Sequence, residues 1–472
     1  MDQDSLLHAI VRIHAYGRHV DMEKPFVTLD RFKAVGTGFF IHAADSDLYV
    51  LTCAHVVEGA DSVTVVLPFL GGTEHSASVL SLAPDYDLAV LVMDIRPEVR
   101  ILPLGTSSTL KLRQTLTAVG YPLGQTAIKV SDGVYAGFQG ALQHTVSISP
   151  GNSGGPLIND VGEVVGVNSS GVMEASNVGY AIPIEVFKNM RNRMFVSEGR
   201  GPPCPGRIVH TPIYGIEYAP ITKFHSQSVG ADLCGGEGVQ IVTVIPGSSM
   251  HEAGIRVGDI VTSFDGMSVS AIGEVKVPWN YQNVSLRDVL RRSVHGHYDV
   301  GVWKADTRAC DTVRVKPRPN THVAMRTIFP PHDEVPYIVV AGLVIMPLLK
   351  NHETCPRIAK TYACKDMSEL TKPSLVISHV LNGTLAHIEG GMYVGEEVCE
   401  VNEIPTSTLD DVRTALVKCT TVDGHLMMSF KTPKGKKLVL SALDVLCAEK
   451  RASKEHLYEP DSALVKYLSV RR

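Results

Sequence analysis

From about Val27 to Ala181 the chain reads as short β-branched runs broken by glycine and polar turns, and this spacing constrains the fold more than any other feature. Val63-Thr-Val-Val-Leu67, Leu88-Ala-Val-Leu-Val92 and Glu163-Val-Val-Gly-Val167 are three such runs. Many short strands at this spacing predict a sandwich or barrel. A short helix is expected over 184–194, and residues 197–207, rich in Gly and Pro, have linker chemistry. A second break, Lys316-Pro-Arg-Pro-Asn320, divides the remainder into two blocks of similar size. Those blocks share a weak repeat. Ala253-Gly-Ile-Arg-Val-Gly-Asp-Ile-Val-Thr-Ser-Phe-Asp-Gly266 in one corresponds to Met392-Tyr-Val-Gly-Glu-Glu-Val-Cys-Glu-Val-Asn402 in the other. Each is followed by a capping-box-like helix start, Ser285-Leu-Arg-Asp288 and Thr408-Leu-Asp-Asp411. Two copies of one small α+β module are expected, the first carrying an extra segment at 272–284.

A length of 472 residues suits about three domains. The net charge of −5 supplies no basic field for phosphate backbones, so no nucleic-acid partner is expected. Nine cysteines without a CxxC pair read as reduced thiols. The Met-Asp-Gln-Asp start lacks a basic and apolar leader, which predicts an intracellular protein, cytoplasmic or nuclear. The longest apolar stretch, 335–349, is interrupted by Pro336, Gly342 and Pro347 and falls short of the ~20 residues of a spanning helix, so no membrane span is expected. His295-Gly-His297 lacks a third ligand and no phosphate-binding loop occurs, so no metal and no cofactor are expected. The end of the chain, 452–472, reads as a terminal helix with Leu457, Leu464 and Leu468 on one side.

Gly151-Asn-Ser-Gly-Gly-Pro156 places three glycines around one serine, and glycine permits the tight turn that aims several N–H groups at one point, as an oxyanion hole requires. A serine nucleophile needs a base and a carboxylate that orients it. His55, just after the buried run Tyr49-Val-Leu51, is the base candidate, and His42 and His144 lack this strand-end context. Asp87, directly before the apolar run 88–91, is the orienting carboxylate, with Asp85 read as a turn residue.

The order His55, Asp87, Ser153 resembles the HtrA/Deg (Do-like) trypsin-like serine proteases. The motifs that carry it are Gly36-Thr-Gly-Phe-Phe40, Thr52-Cys-Ala-His-Val56, Asp87-Leu-Ala-Val90 and Gly151-Asn-Ser-Gly-Gly-Pro-Leu157. The C-terminal blocks resemble that family's PDZ domains through Pro246-Gly-Ser-Ser-Met250 and Ala253-Gly-Ile-Arg-Val-Gly-Asp259, and the eukaryotic, plant-type branch is the nearest likeness. The resemblance implies a mostly β fold: a chymotrypsin-like double β-barrel protease domain over 1–196 and a linker over 197–206. It continues with PDZ-like domains over 207–318 and 326–448 joined by a linker at 319–325, then a helical tail over 449–472. It implies an ATP-independent endopeptidase for unfolded or damaged proteins, with Ser153 as nucleophile, His55 as base, Asp87 as orienter and Gly151, Asn152 and Ser153 as the oxyanion hole. The alternative is a PDZ-based chaperone or scaffold whose protease domain is silent at rest.

Asn152 stands where digestive relatives carry an aspartate that pairs with a new N-terminus, so activation by propeptide cleavage is not expected. The pocket expected from Ser147, Val167, Asn168 and Ser169 has no carboxylate at 145–150 and should prefer small or medium apolar side chains. Tyr214, Gly215, Ile216 and Glu217 form the candidate peptide-binding loop of the first module, with apolar C-terminal peptides as its expected ligands. In the second block the run at 341–344 is better suited to packing. The resemblance also implies homotrimers or multiples of trimers.

Overall fold

The computed structural model describes residues 3–42, 47–171, 178–195, 206–222, 224, 227, 237–280, 282–294, 296–318, 323–366 and 368–461. The chain divides into two compact units, Met1–Gly17 with Arg31–Asn320, and Arg18–Asp30 with Thr321–Arg472. The fold is mostly β, as the short apolar runs require.

In unit 1 the first six strands are β1 (Ile10–Val20), β2 (Thr28–His42), β3 (Leu48–Thr52), β4 (Ala60–Leu67), β5 (Thr73–Ala83) and β6 (Leu88–Met93). They follow the order β5-β4-β1-β2-β3-β6, and pairing of β5 with β6 closes the ring. A closed barrel has no unpaired edge to shield. Ile13, Phe39, Val50, Leu82 and Val90 are buried inside. The next six, β7 (Thr115–Gly120), β8 (Lys129–Gln139), β9 (Ala141–His144), β10 (Pro156–Asn159), β11 (Val164–Gly171) and β12 (Gly179–Pro183), form a second closed barrel around Leu116, Tyr135, Leu157 and Val165.

Two registers place the site. Antiparallel pairing of Thr52 with Ala89 sets the end of β3 beside the start of β6, which brings the residues after Thr52 to the turn before Leu88. Pairing of Pro156 with Val167 sets the glycine-rich loop before β10 beside Asn168 and Ser169.

After the barrels β13 (Arg207–Ile208) joins β5 in parallel. The first α+β module follows, with β14 (Ile216–Pro220), β15 (Val239–Val244), β16 (Ile260–Phe264), β17 (Tyr298–Lys304) and β18 (Ala309–Val315) paired in that order. Its helix Leu286–Arg292 starts at Ser285, whose side chain accepts from Asp288 N–H. That is the N-cap expected from the sequence.

Unit 2 contains the second module, with β19 (Ile338–Val340), β20 (Leu343–Pro347), β21 (Leu375–Val380) and β22 (Glu397–Val398) as one sheet. The capping box at Thr408 and Asp411 is present. The stretch Arg18–Asp30 packs in this unit, with Met22 against the apolar cluster that includes Leu348 and Ile358, Phe26 beside Tyr337 and Tyr458, and Glu23 O accepting from Ser378 Oγ. Nothing in the hydropathy of 18–30 announces that placement.

The modules match in backbone bonding. Met250 N–H donates to Tyr214 O and Ile245 N–H to Gly215 O in the first; Ala386 N–H donates to Ala341 O and Leu381 N–H to Gly342 O in the second. They differ at the sheet edge. β14 is the edge strand of its sheet, and no strand among the described residues covers it. Its counterpart β20 is covered by β19, Val340 pairing with Leu343. Ala341 N–H is also occupied, by the Glu449 carboxylate at 3.1 Å, which takes a second bond from Tyr458 OH at 2.7 Å.

Two expectations need correction. The terminal helix is Ala442–His456 and ends at Leu457, an exposed residue in the left-handed region, so Leu457 stops the helix rather than lining one face of it. Leu464 and Leu468 lie outside the described residues, as do His295, Asn320 and linker residues 197–205. Cys310 is disulfide-bonded, whereas the other six described cysteines are free thiols, and spacing alone could not single it out. Among the described residues no helix is long and apolar enough to cross a membrane.

Glu449→Ala should strand the Ala341 N–H and the Tyr458 hydroxyl in a buried setting and destabilise the second module by about 1–3 kcal/mol. Urea unfolding of the full chain, followed by fluorescence, checks it.

Candidate active site

His55 lies in a single helical turn, α1 (Ala54–Val57), at the end of β3. Asp87 closes the short 3-10 turn Pro84–Tyr86 in a left-handed backbone conformation, φ 55° and ψ 41°. The register described above brings them together. His55 Nδ1 is 2.8 Å from Asp87 Oδ1 and 2.9 Å from Oδ2, and His55 N–H donates to Oδ1 at 3.0 Å. Ser169 Oγ donates to Oδ2 at 2.6 Å. Burial disfavours the Asp87 carboxylate, yet the bonds and charge of His55 and the Ser169 hydroxyl outweigh it and hold its pKa below the ordinary value. Burial likewise disfavours the imidazolium of His55, and the Asp87 bond and charge, with Glu58 adding to them, hold its pKa above 6.5.

The serine loop is held by Thr37, fully buried in β2. Its N–H donates to Ser153 O at 2.9 Å, its hydroxyl to Gly151 O at 2.6 Å, and the same hydroxyl accepts from Tyr121 N–H at 3.0 Å. The loop needs glycine. At Gly154, with φ +86°, a Cβ would lie 2.2 Å from Thr37 O and from Thr52 Oγ1; at Gly151, with φ +101°, it would lie 2.3 Å from Tyr121 O. Among the described residues the N–H groups of Gly151 and Ser153 donate to no protein acceptor. Ser153 Oγ donates to Ser169 O at 2.8 Å, so Ser153, Ser169 and Asp87 form one chain of hydrogen bonds.

Residues 36–167 match the family described as a trypsin-like peptidase domain. Putative serine protease HhoA of Synechocystis sp. is 32% identical over 259 residues, covering 51% of this chain and 62% of that protein. Protease Do-like 2, chloroplastic, of Arabidopsis thaliana is 28% identical over 364 residues, covering 73% and 56%. The chain thus carries a trypsin-like peptidase domain and is similar to proteases of the HtrA and Do-like kind. It spans between half and two thirds of the length of these relatives. The solved structure of HtrA-type protease AlgW with decapeptide aligns with a TM-score of 0.49 at 20% identity, over 67% of this chain and 97% of that one.

Four residues take different parts from those expected. Asn152 N–H donates to Ser149 O at 3.0 Å, so it is not an open oxyanion donor. Asn168 is fully buried and bonded within the scaffold: its side-chain Nδ2 donates to Pro156 O and its main-chain carbonyl accepts from Gly154 N–H and Cys53 Sγ. Val167 is fully buried and paired with Pro156 and Ile182. Ser169, read as a pocket residue, is instead the hydroxyl partner of Asp87. Ser147 is exposed beside the serine loop. Asp85 is in the turn as expected, but its carboxylate also accepts from Thr211 N–H and Oγ1.

In the first module Tyr214 is buried, its hydroxyl donating to Ser293 O at 2.7 Å. Ile216 begins the edge strand, and Glu217 accepts from Thr243 Oγ1. Sequence reading missed Thr37 and Cys53. The only signal was their place inside Gly36-Thr-Gly and Thr52-Cys-Ala-His, short motifs in which any small side chain reads the same.

Thr37→Val keeps shape while leaving Gly151 O and Tyr121 N–H without their partner; urea unfolding should report a loss of about 1–3 kcal/mol. Burial, then the Asp87 charge, push the pKa of Cys53 far up. Iodoacetamide at pH 8 should therefore spare Cys53 in the native chain and modify the exposed Cys364 and Cys447, as peptide mass spectrometry would show.

Proposed function

We propose that the chain is an ATP-independent serine endopeptidase acting on unfolded or damaged polypeptides. The observation that carries this is the hold of Asp87 on His55 at both Nδ1 and N–H, beside a serine loop whose Gly151 and Ser153 N–H groups are unengaged among the described residues. In the working cycle Ser153 Oγ leaves the Ser169 carbonyl and attacks the scissile carbonyl carbon while its proton passes to His55 Nε2. The two N–H groups hold the tetrahedral oxyanion, each such donor contributing about 2.7–4 kcal/mol to the transition state. Collapse breaks the C–N bond and His55 returns the proton to the leaving amine. Water then cleaves the acyl-enzyme by the same proton route, releasing the new carboxyl terminus and restoring the Ser153 hydroxyl.

The exposed Ser147 and the carboxylate-free stretch 145–150 support cleavage after small or medium apolar residues. The open edge of β14 supports peptide capture by strand addition in the first PDZ-like module, with apolar C-termini as ligands, whereas β19 and Glu449 occupy the matching edge and loop of the second. Peptide bound at the first module would shift the loops around Ser153 toward the working arrangement. Assembly as trimers, taken from the family resemblance, belongs to the same proposal.

The first test is cleavage of an unfolded model protein without ATP. The native chain should cleave it, and Ser153→Ala should lose at least about 10³-fold in rate. Because the His55 pKa is held above 6.5, its neutral, proton-accepting form builds up only above that value, and the rate should still be rising with pH there. Retained binding of the unfolded protein with no cleavage by either form, even with saturating apolar C-terminal peptide, would favour the scaffold reading.

A further inference from the structure

The turn that carries Asp87 is bonded on its far side to the last turn of the first module's helix, α2 here (Leu286–Arg292). Two contacts make this connection, and a third ties the same turn to Thr211, which precedes β14. Tyr86 OH donates to Arg291 O at 2.5 Å, Arg291 Nη2 donates back to Asp85 O at 2.9 Å, and the Asp85 carboxylate takes two bonds from Thr211. A helix ends with carbonyls that have no partner within it, and peptidase side chains fill that role for two of them here. Tyr86 takes Arg291 O, and Asn189 Nδ2 reaches Arg292 O at 3.5 Å.

The end of the helix is further pinned through Arg292. Its guanidinium lies 4.0 Å from the Trp279 ring centroid and 5.3 Å from that of Phe138, with Glu185 at 3.7 Å. Phe138 of β8 packs against the module's apolar cluster and meets Trp279 edge to face at 5.4 Å. Trp279 lies in the extra segment 272–284 that distinguishes the first module from the second, so that segment supplies part of the docking surface.

Tyr86 immediately precedes Asp87, whose backbone is held in the costly left-handed region, so a shift of the turn would swing its carboxylate. We propose that Tyr86 and Arg291 are positioning residues for the His55–Asp87 pair, tying the first module's helix to the turn that aims the Asp87 carboxylate. The proposal rests on the peptidase reading above and deepens it. It assigns the module a route to the base and its orienting carboxylate that is separate from the oxyanion loop. Neither residue touches substrate, so neither is catalytic.

The test uses the full chain and two readouts: the second-order rate at which a fluorophosphonate probe modifies Ser153, and kcat and KM on a quenched-fluorescence peptide with an apolar residue before the scissile bond. Tyr86→Phe and Arg291→Ala should each lower the modification rate and kcat by about 5- to 30-fold with KM changed less than about twofold. The rising limb of the pH profile should move to lower pH, because His55, which faces Asp87 and Glu58, loses part of the Asp87 interaction that raises its pKa. Arg291→Lys should restore most of the rate, since an ammonium can still reach Asp85 O. The double variant should be no worse than the weaker single, because both act on one connection. An unchanged rate and pH limb in folded Tyr86→Phe, a loss confined to KM, or additive effects would overturn the proposal. If Tyr86→Phe does not fold, the Arg291→Ala and Arg291→Lys pair decides on the same readouts. Failure of the probe to modify Ser153 in the native chain would instead overturn the peptidase reading, and this proposal with it.

Discussion

The Asp87 carboxylate accepts from His55 Nδ1, from the His55 main-chain N–H and from the Ser169 hydroxyl, and the geometry of the candidate site depends on that one group staying in place. A partly buried carboxylate with three donors is charged, directional and costly to move, because any donor lost leaves charge without compensation in a poorly solvated place. The donors and their acceptor come from different parts of the chain. His55 follows β3, Ser169 lies in β11 of the other barrel, and Asp87 itself stands between β5 and β6. Barrel closure is therefore more than a means of burying apolar strands, since it brings the ends of both barrels to one point.

The oxyanion loop depends on a different anchor. Thr37 bonds Gly151 O and Ser153 O from one position in β2, while Gly154, with positive φ, lets the loop pass close to that strand and Gly151, with positive φ, lets it pass close to Tyr121. The site thus has two mechanically separate halves, one holding the base and one holding the serine turn, joined through Ser169. Its hydroxyl bonds Asp87 and its carbonyl takes the resting Ser153 hydroxyl. A structure divided this way can hold the base ready while the serine rests on a neighbouring carbonyl.

The two C-terminal modules show how one sequence pattern reaches two outcomes. Both have a glycine at the matched loop position, the same pair of backbone bonds and a capped helix. In the first the corresponding strand is at the edge of its sheet, whereas in the second a preceding strand covers it and Glu449, more than a hundred residues downstream, fills the loop. The very apolar run at 335–349 accounts for part of this difference, because a strand this apolar is stable only when its edge and faces are covered.

Local chemistry determined much of this protein before any folding. Short β-branched runs between glycine and polar turns specify a sandwich or barrel; Ser285 with Asp288 and Thr408 with Asp411 specify helix starts; and the glycines around Ser153 specify a tight turn, because each depends on neighbours within a few residues. His55 and Asp87 were legible for the same reason, each standing at the end of an apolar run. Tertiary structure alone decided what depended on distant partners. Ser169 became a partner of Asp87, Asn168 became a scaffold residue, Thr37 gathered the loop, residues 18–30 packed in the second unit, and Glu449 filled the second module's loop. Hydrogen bonds across tens to hundreds of residues leave no periodicity in the chain, and a serine or threonine that makes one reads in sequence like one that faces water.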